Sequence, residues 1–278
     1  MSIEKILDLE QLEVNIYRGI VFSPESGNWQ RTFGGQVAGQ SLVSAVRTVD
    51  PRYQVHSLHG YFLRPGDAKS PTIFIVERLR DGRSFATRRV NAIQHGETIF
   101  SMSASFQTDQ SGIEHQDAMP SAPPPDDLPE LTSMRAFDDA GFAQFAEWDV
   151  RIVPRELLKP LPGKASQQQV WFRHRDPLPD DHVLHICALA YMSDLTLLGS
   201  AQVNHVEERK HLMVASLDHA MWFMRPFRAD EWLLYDQSSP SACGGRSLTQ
   251  GKIFTRTGEM VAAVMQEGLT RYRRDFKT

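Results

Sequence analysis

The sequence predicts an α+β fold made of two copies of one unit, in which a buried helix is followed by antiparallel strands. A proline-rich segment divides the chain near its middle, and short motifs recur in the same order on both sides of it. Each half also contains a helix-like run, small and weakly polar in the first half and apolar in the second, and four strand-like runs follow it. Of the 278 residues, 41% are hydrophobic and 23% charged, a balance that indicates a substantial core.

The dividing segment spans residues 109–135 and holds five prolines, three of them consecutive at Pro123–Pro125. Proline lacks an amide donor and biases the residue before it away from the helical conformation. We therefore expect an extended, solvated linker here. It would separate an N-terminal unit at residues 1–108 from a C-terminal unit at residues 136–278.

Each half has the same predicted order of elements. In the first half, a helix begins at Gly34 and runs to about Val49, and the strands that follow are Tyr53–Arg64, Thr72–Leu79, Ser84–Gln94 and Glu97–Gln107. In the second half, Asp181 suits the start of a helix and Gly199 its end. The strands expected after it are His211–Arg225, Glu231–Ser238, Arg246–Arg256 and Met260–Leu269.

Short identities between the halves support a duplication. They recur at offsets of 161, 163 and 162 residues in the pairs Phe62–Pro65 with Phe223–Pro226, Arg83–Phe85 with Arg246–Leu248, and Gly96–Glu97 with Gly258–Glu259. Each match is short by itself. Three nearly constant offsets in the same order favour a tandem repeat over chance.

The helix of the second half is apolar on every side. Residues 183–192 leave almost no polar face, so the helix must be enclosed from all directions. A curved antiparallel sheet wrapped around a long helix provides such an enclosure, and this arrangement is the hotdog fold. Two tandem units of this kind predict a double hotdog.

Composition argues against several classes of protein. The net charge of −4 gives no overall basic field for nucleic acid. No apolar run approaches the ~20 residues of a membrane-spanning helix, and the acidic N-terminus lacks the features of a signal peptide. The two cysteines, Cys187 and Cys243, cannot by themselves form a disulfide framework or a four-ligand zinc site. We therefore expect a cytoplasmic protein without a membrane span.

Three polar residues in apolar surroundings are candidates for chemistry. Asp194 lies within the predicted apolar helix, near its C-terminal end, where a carboxylate is either functional or turned to solvent. Gln266 ends an apolar run, and a strand end that reaches solvent is the favoured interpretation. Ser216 lies on a strand, but no Gly-x-Ser-x-Gly elbow accompanies it.

Two further features leave their alternatives open. Gly34-Gly35-Gln36 begins a helix and offers backbone N–H groups to a carbonyl or oxyanion, although simple turn flexibility explains the glycines equally well. The histidines give little support for a metal site. His182 and His185 lack the glutamate of an HExxH motif, and His56 and His59 are expected on opposite faces of a strand.

Long motifs in both halves resemble the acyl-CoA thioesterase II family along nearly the whole chain outside the proline-rich segment. In the first half they are TFGGQVAGQ at 32–40, HSLHGYFLRPGD at 56–67 and LRDGRSFATRRV at 79–90. In the second half they are LAYMSD at 189–194, SLDHAMWFMRPF at 216–227, EWLLY at 231–235 and VMQEG at 264–268.

This resemblance implies a double hotdog that hydrolyses fatty acyl-CoA to free fatty acid and CoA without a metal or organic cofactor. The family holds the attacking water with an Asp, a Thr or Ser, and a Gln, which fall on Asp194, Ser216 and Gln266. Threonine is the residue expected more often at 216. Backbone N–H groups near Gly35 and Gln36 are our candidate oxyanion donors.

The first repeat is expected to be a scaffold. An offset of 162 puts Ala104 opposite Gln266, so we expect one active site per chain. His59 is expected to be structural or to line the substrate pocket. Arginines in both repeats are candidates for a local basic patch toward polyanionic CoA, namely Arg64, Arg83, Arg88, Arg89 and Arg246.

Two other functions stay open at the level of sequence. A hotdog enoyl-CoA hydratase would use an Asp and a His, for which Asp180 and His185 have a suggestive spacing. A non-catalytic acyl-CoA binding protein would keep the fold without the chemistry. By family, a homodimer or homotetramer of double hotdogs is expected.

Overall fold

The computed structural model describes residues 2–21, 31–131, 145–159 and 162–274. Within these ranges the helices are α1 (Ile3–Leu7), α2 (Gly34–Val46) and α3 (His182–Ser193). The strands are β1 (Glu10–Glu13), β2 (Ile16–Gly19), β3 (Tyr53–Phe62), β4 (Thr72–Asp81), β5 (Phe85–Gln94), β6 (Glu97–Thr108), β7 (Trp148–Ile152), β8 (Gln167–His174), β9 (Leu212–Ser216), β10 (Asp218–Phe223), β11 (Leu233–Cys243), β12 (Arg246–Thr255) and β13 (Met260–Tyr272). The predicted α+β class is confirmed.

All of these strands join one antiparallel sheet. Its order is β1-β2-β4-β5-β6-β3-β10-β13-β12-β11-β8-β7, and β9 also pairs with β13. The pairing of β3 with β10 connects the two halves of the chain, with His59 opposite Ala220. The strands of each half are therefore contiguous within the sheet, and the two halves meet along one pair of strands.

The predicted elements form with small changes at their ends. The Asp181 carboxylate caps α3, where its Oδ1 accepts the Val183 N–H at 2.9 Å. Helix α3 then ends at Ser193 instead of continuing to Gly199, and Asp194 takes the position just after its last turn. The single strand expected at His211–Arg225 is interrupted at Leu217 and forms β9 and β10.

Helices α2 and α3 pack against each other in the core through close backbone contact. A β-carbon added to Gly35 would overlap the Tyr191 carbonyl oxygen, and one added to Gly39 would lie 3.1 Å from the Cys187 carbonyl oxygen. The later glycine of α2, Gly39, contacts the earlier residue of α3, Cys187, and so the two helices run antiparallel. Residues 185–193 of α3 are all buried, as an apolar enclosed helix requires.

One apolar segment corrects the expectation that no run approaches membrane-spanning length. Among the described residues, His182–Gln202 is long and apolar enough by composition to cross a bilayer. It consists of α3 and a following 3₁₀ helix at Leu197–Gln202. In the fold, α3 is the buried core helix that packs on α2, and this placement accounts for its composition.

The proline-rich segment is extended, but it is less solvated than predicted. Residues 109–118 are exposed, whereas Pro125 and Leu128 are buried. The Pro123 carbonyl accepts the Trp171 indole N–H at 2.8 Å, and Leu128 packs in a second apolar cluster with Trp171 and Trp232. The segment thus covers the outer face of the C-terminal half of the sheet. Residues 132–135 lie outside the described ranges.

We expect Gly39→Val to destabilise the protein by about 1–3 kcal/mol, the usual cost of overpacking a core. The added atoms would press on the Cys187 carbonyl and on the Leu7 side chain, which lies 3.2 Å from the β-carbon position. Urea unfolding measures the change. Gly112→Val is the matched control, since a β-carbon there meets nothing within 4 Å. Equal stability of the two variants would contradict the described helix contact.

Candidate active site

The three predicted polar residues meet at one carboxylate oxygen. The Ser216 Oγ donates to Asp194 Oδ1 at 3.1 Å, and the Gln266 Nε2 donates to the same oxygen at 2.6 Å. Asp194 is half-buried at the end of α3, Ser216 ends β9, and Gln266 lies within β13. Elements far apart in sequence thus fix the orientation of a single carboxylate.

The solvent-exposed interpretation of Gln266 is wrong. Strand β13 continues to Tyr272, so Gln266 lies in its middle, and the residue is fully buried. The Gln266 carbonyl accepts a hydrogen bond from the Thr249 hydroxyl of β12 at 2.9 Å. Its side-chain Oε1 is buried and accepts no hydrogen bond from the described residues, which leaves an acceptor for water or substrate.

A one-residue shift in strand register turns Ser216 toward the carboxylate. In β9, Ser216 lies opposite Gly268, whereas in β10 Met221 lies opposite Val264. The extra residue falls near Leu217. Met221 is buried, and strict alternation back from it would point Ser216 to the outer face. Such irregularities are common beside active sites because they re-aim a side chain.

The start of α2 forms the opposite wall of the site, and it modifies the predicted set of donors. The Gln36 N–H already donates to the Phe33 carbonyl at 3.1 Å, which counts against it as an oxyanion donor. The amides of Gly34 and Gly35 come first in the helix and have no intrahelical acceptor. Gly34, the first residue of the predicted Gly34-Gly35-Gln36 helix start, lies against the carboxylate: a β-carbon there would be 2.6 Å from Asp194 Oδ2.

His59 does not belong to this site. It is exposed, whereas its neighbours Leu58 and Gly60 face the core. Its ring packs edge-on against Trp222 with centroids 5.0 Å apart. The expectation that His59 lines the substrate pocket is therefore wrong, because strand alternation places it on the outer face of the sheet.

Arg88 is also removed from the predicted basic patch. Its side chain is 1% exposed, and it donates to the Thr48 hydroxyl at 2.9 Å and to the Thr48 carbonyl at 3.1 Å. It also pairs with the Asp81 carboxylate. The guanidinium therefore stabilises the segment that follows α2 and is not available to a phosphate.

His219, which sequence analysis did not single out, anchors the end of α3. Its Nε2 lies 2.8 Å from the Ser193 hydroxyl, and the Tyr235 hydroxyl donates to the Ser193 carbonyl at 3.2 Å. Complete burial lowers the pKa of His219, so the ring is neutral at pH 7. The Asp-His pair that closely follows Ser216 in the sequence is the signal that could have found it.

A cleft of about 220 Å³ opens beside these residues. Ser216 and Gly34 contribute to its wall. Its apolar lining includes Val37, Phe62, Ile99 and Phe100, and the arginines in its lining are Arg31 and Arg64. The cleft can therefore hold an apolar group of a ligand next to the Asp194 carboxylate.

The residues of the alternative functions are engaged elsewhere. The Asp180 carboxylate accepts from the Arg228 guanidinium at 3.0 Å, while His185 Nδ1 accepts the Ala229 N–H at 3.0 Å. These bonds do not form the acid–base pair of a hydratase. Within the described part of the chain, no group of three or more His, Cys, Asp or Glu side chains is arranged to hold a metal ion.

Comparison with known proteins agrees with this architecture. A protein from Alicyclobacillus acidocaldarius, described as having a hot dog fold, superposes with a TM-score of 0.79 over 98% of both chains at 20% identity. The chain is therefore a hotdog-fold protein. An acyl-CoA thioesterase II, TesB2, from Mycobacterium marinum is 76% identical over the full length of both chains, with a TM-score of 0.89.

Family profiles cover both halves. The profile of the acyl-CoA thioesterase N-terminal domain matches residues 24–107, and the acyl-CoA thioesterase profile matches residues 139–269. Mouse acyl-coenzyme A thioesterase 8 is 39% identical over 98% of this chain and 89% of its own length. The chain belongs to the acyl-CoA thioesterase II family, and its activity is the hydrolysis of acyl-CoA thioesters.

Gly34→Ala should lower turnover at least tenfold, because its β-carbon would displace Asp194 Oδ2 and misplacement of a reacting group is costly. A thiol-release assay with an acyl-CoA measures the change, and thermal unfolding verifies the fold. Gly66→Ala is the control: it lies in the same cleft, and the atoms nearest to its added β-carbon belong to Thr32 and Ile99, not to Asp194. Equal losses in both variants would mean that Gly34 has no special relation to Asp194.

Proposed function

We propose that the chain hydrolyses fatty acyl-CoA through a water molecule activated by Asp194 and positioned with the help of Ser216 and Gln266. The observation that carries this proposal is the convergence of two donors on Asp194 Oδ1. Because Oδ1 is occupied, Oδ2 is the oxygen that can accept a proton from water. The carboxylate is thus held in one orientation before the substrate binds.

The proposed reaction is a single addition and elimination. Water gives a proton to Asp194 Oδ2 while its oxygen attacks the thioester carbonyl carbon. The carbon–sulfur bond then breaks, and the proton passes to the departing CoA sulfur. The products are the free fatty acid and CoA, and the carboxylate is restored.

The start of α2 is the proposed site for the oxyanion. Its first amides, at Gly34 and Gly35, lie beside Asp194 and Tyr191 at the end of α3. Amides at a helix start point their N–H groups outward along the axis and favour negative charge. Preorganised donors of this kind are worth about 3–4 kcal/mol in transition-state stabilisation.

The finer architecture we propose is a double hotdog of two units, residues 1–108 and 136–278, joined by the linker at 109–135. Two features support it. Outward from β3 the strands follow in the order β6, β5, β4, β2 and β1, and outward from β10 their counterparts follow in the order β13, β12, β11, β8 and β7. The residues opposite each other at the centre of that pair, His59 and Ala220, are 161 positions apart, the same offset as the repeated Phe-x-Arg-Pro motif.

In this arrangement only the C-terminal unit supplies the acid, hydroxyl and amide groups. Ala104 of β6 lies opposite Leu58 of β3, and Ala104 occupies the position in β6 that corresponds to Gln266 in β13. Ala104 carries no hydrogen-bonding side chain, which supports one active site per chain.

We further propose a cytoplasmic homodimer or homotetramer. Cys187 is buried and unpaired, and Cys243 is exposed and unpaired, which fits a reducing compartment. Exposed apolar side chains at Tyr61, Trp222 and Met265 lie near the β3–β10 junction and would suit a subunit contact. Sedimentation of the purified protein measures the assembly.

Asp194→Asn should abolish turnover, with a loss of at least a thousandfold. The amide can still accept from Ser216 and Gln266 through its oxygen, but it cannot take a proton from water. A thiol-release assay measures turnover, and binding of a non-hydrolysable acyl-CoA analogue verifies that the site is intact. Turnover close to wild type would contradict the role of Asp194 in activating water.

Gln266→Ala should reduce turnover by an order of magnitude or more, the scale of a lost oriented donor. Ser216→Thr should stay within about threefold of wild type because the hydroxyl remains, whereas Ser216→Ala should be slower than both. The same thiol-release assay compares them. An unchanged rate for Gln266→Ala would return that residue to a purely structural role.

A further inference from the structure

The shift in strand register near Leu217 divides the hydrogen bonds of one residue between two neighbouring strands. In a regular antiparallel ladder, the two residues of a hydrogen-bonded pair exchange both N–H···O bonds. Here the Leu217 N–H donates to the Glu267 carbonyl of β13 at 2.9 Å, whereas the Leu217 carbonyl accepts the Phe62 N–H of β3, also at 2.9 Å. Because that carbonyl is turned toward β3, the Glu267 N–H loses the acceptor that a regular ladder would provide.

The side chain of Asp218 replaces the missing acceptor. Its Oδ1 accepts the Glu267 N–H at 2.6 Å. A backbone amide left without an acceptor inside a sheet is costly, and a carboxylate is a strong acceptor for it. The bond joins two points that each adjoin a site residue, since Asp218 comes two residues after Ser216 and Glu267 comes directly after Gln266.

Asp218 itself faces away from the active site. His219 and Met221 of β10 are fully buried, so strand alternation puts Asp218 on the outer face of the sheet with Trp222. Among the described residues, the lining of the active-site cleft does not include Asp218. Any effect of Asp218 on the chemistry must therefore pass through the strands that carry the site residues.

The first half of the chain has the same shift in register without the carboxylate. The ladder between β3 and β6 changes register at His56. In the proposed two-repeat arrangement, an offset of 161 makes His56 the counterpart of Leu217 and Ser57 the counterpart of Asp218. The shift thus belongs to the repeated fold, whereas the carboxylate is confined to the repeat that contains the active-site residues.

This difference separates the formation of the shift from the restraint of the strand beside it. The shift forms with Ser57 in the first repeat, so a carboxylate is not required to make it. Ala104 of that repeat has no side chain to orient, and β6 needs no further restraint there. In the second repeat, a small movement of β13 would pull the Gln266 Nε2 away from Asp194 Oδ1, from which it lies 2.6 Å away.

We propose that Asp218 is a positioning residue for thioester hydrolysis. Its carboxylate fixes the Glu267 amide and thereby holds Ser216 and Gln266 within reach of Asp194. This inference rests on the proposed roles of Ser216 and Gln266. Asp218 touches neither the attacking water nor the substrate, so its loss lowers kcat and leaves binding in the cleft unchanged.

Asp218→Ala should lower kcat about tenfold while KM stays within about twofold of wild type, because misplaced groups slow the chemical step. Asp218→Asn should rescue kcat to within about threefold of wild type, since the amide oxygen can still accept the Glu267 N–H. A thiol-release assay with an acyl-CoA measures both variants, and thermal unfolding verifies the fold. Wild-type kcat in Asp218→Ala, or equal losses in the two variants, would overturn the proposal.

Asp230→Ala is the matched control for loss of a carboxylate that accepts a backbone amide. Asp230 Oδ2 accepts the Leu178 N–H at 2.8 Å, away from the active-site cleft. Its kcat should equal that of wild type. Should Asp218→Ala fail to fold, Asp218→Ser takes its place, because serine is the side chain with which the first repeat forms the shift. Equal losses of kcat in the Asp230 and Asp218 variants would contradict a specific role for Asp218.

A kinetic cycle distinguishes positioning from a general weakening of the fold. In a protein that carries both Ser216→Ala and Gln266→Ala, adding Asp218→Ala should lower kcat by less than about twofold, because the side chains that it positions are gone. A further tenfold loss in that background would show that Asp218 acts by another route and would contradict the proposal.

Hydrogen exchange of the Glu267 amide tests the contact without reference to activity. Exchange should be at least about tenfold faster in Asp218→Ala than in wild type, and Asp218→Asn should restore most of the protection. Unchanged exchange in Asp218→Ala would overturn the proposal at its first step. Wild-type turnover by Asp194→Asn would instead contradict the proposed function, and the exchange result would still report on Asp218.

Discussion

Helices α2 and α3 touch backbone to backbone, and this contact decides which groups can reach the carboxylate of Asp194. A β-carbon on Gly35 would overlap the Tyr191 carbonyl, so only glycine permits the approach. Because the helices are antiparallel, the first amides of α2 lie at the last turn of α3. The carboxylate, the open amides at Gly34 and Gly35, and the cleft thus follow from one close approach in the core.

Side chains of opposite charge lie at the C-terminal ends of the two core helices. Arg88 donates to the Thr48 carbonyl just beyond α2, where a cation suits the negative end of the helix dipole. Asp194 places an anion at the same end of α3, which is unfavourable. Hydrogen bonds from Ser216 and Gln266 offset that cost. Local conflicts that neighbours must compensate are typical of functional sites, and here the conflict occurs in one repeat only.

Sequence patterns predicted the helices and strands that have strong periodicity. They failed to predict features that depend on contacts between distant parts of the chain. Helix α2 and the strands from β3 to β6 appear within a few residues of their expected bounds. The short strands at the two ends of the sheet, β1, β2, β7 and β8, were not predicted, since four to eight residues carry little periodic signal. The register shift near Leu217 depends on pairing with β13, which the local sequence does not specify. The direction of the Ser216 side chain could therefore not be predicted from sequence. His59 and Arg88 were misjudged because the tertiary fold decides which face of a strand turns to the core and which side chains are buried.

A double-mutant cycle between Asp194 and Gln266 tests most directly whether the polar residues act through one carboxylate. Turnover would be measured for Asp194→Asn, for Gln266→Ala and for the variant with both changes. If Gln266 acts by orienting Asp194, removing it from a protein without the carboxylate should cost nothing more, and the double variant should match Asp194→Asn. If the two losses multiply, Gln266 acts independently of Asp194, and the shared carboxylate oxygen is not the centre of the chemistry.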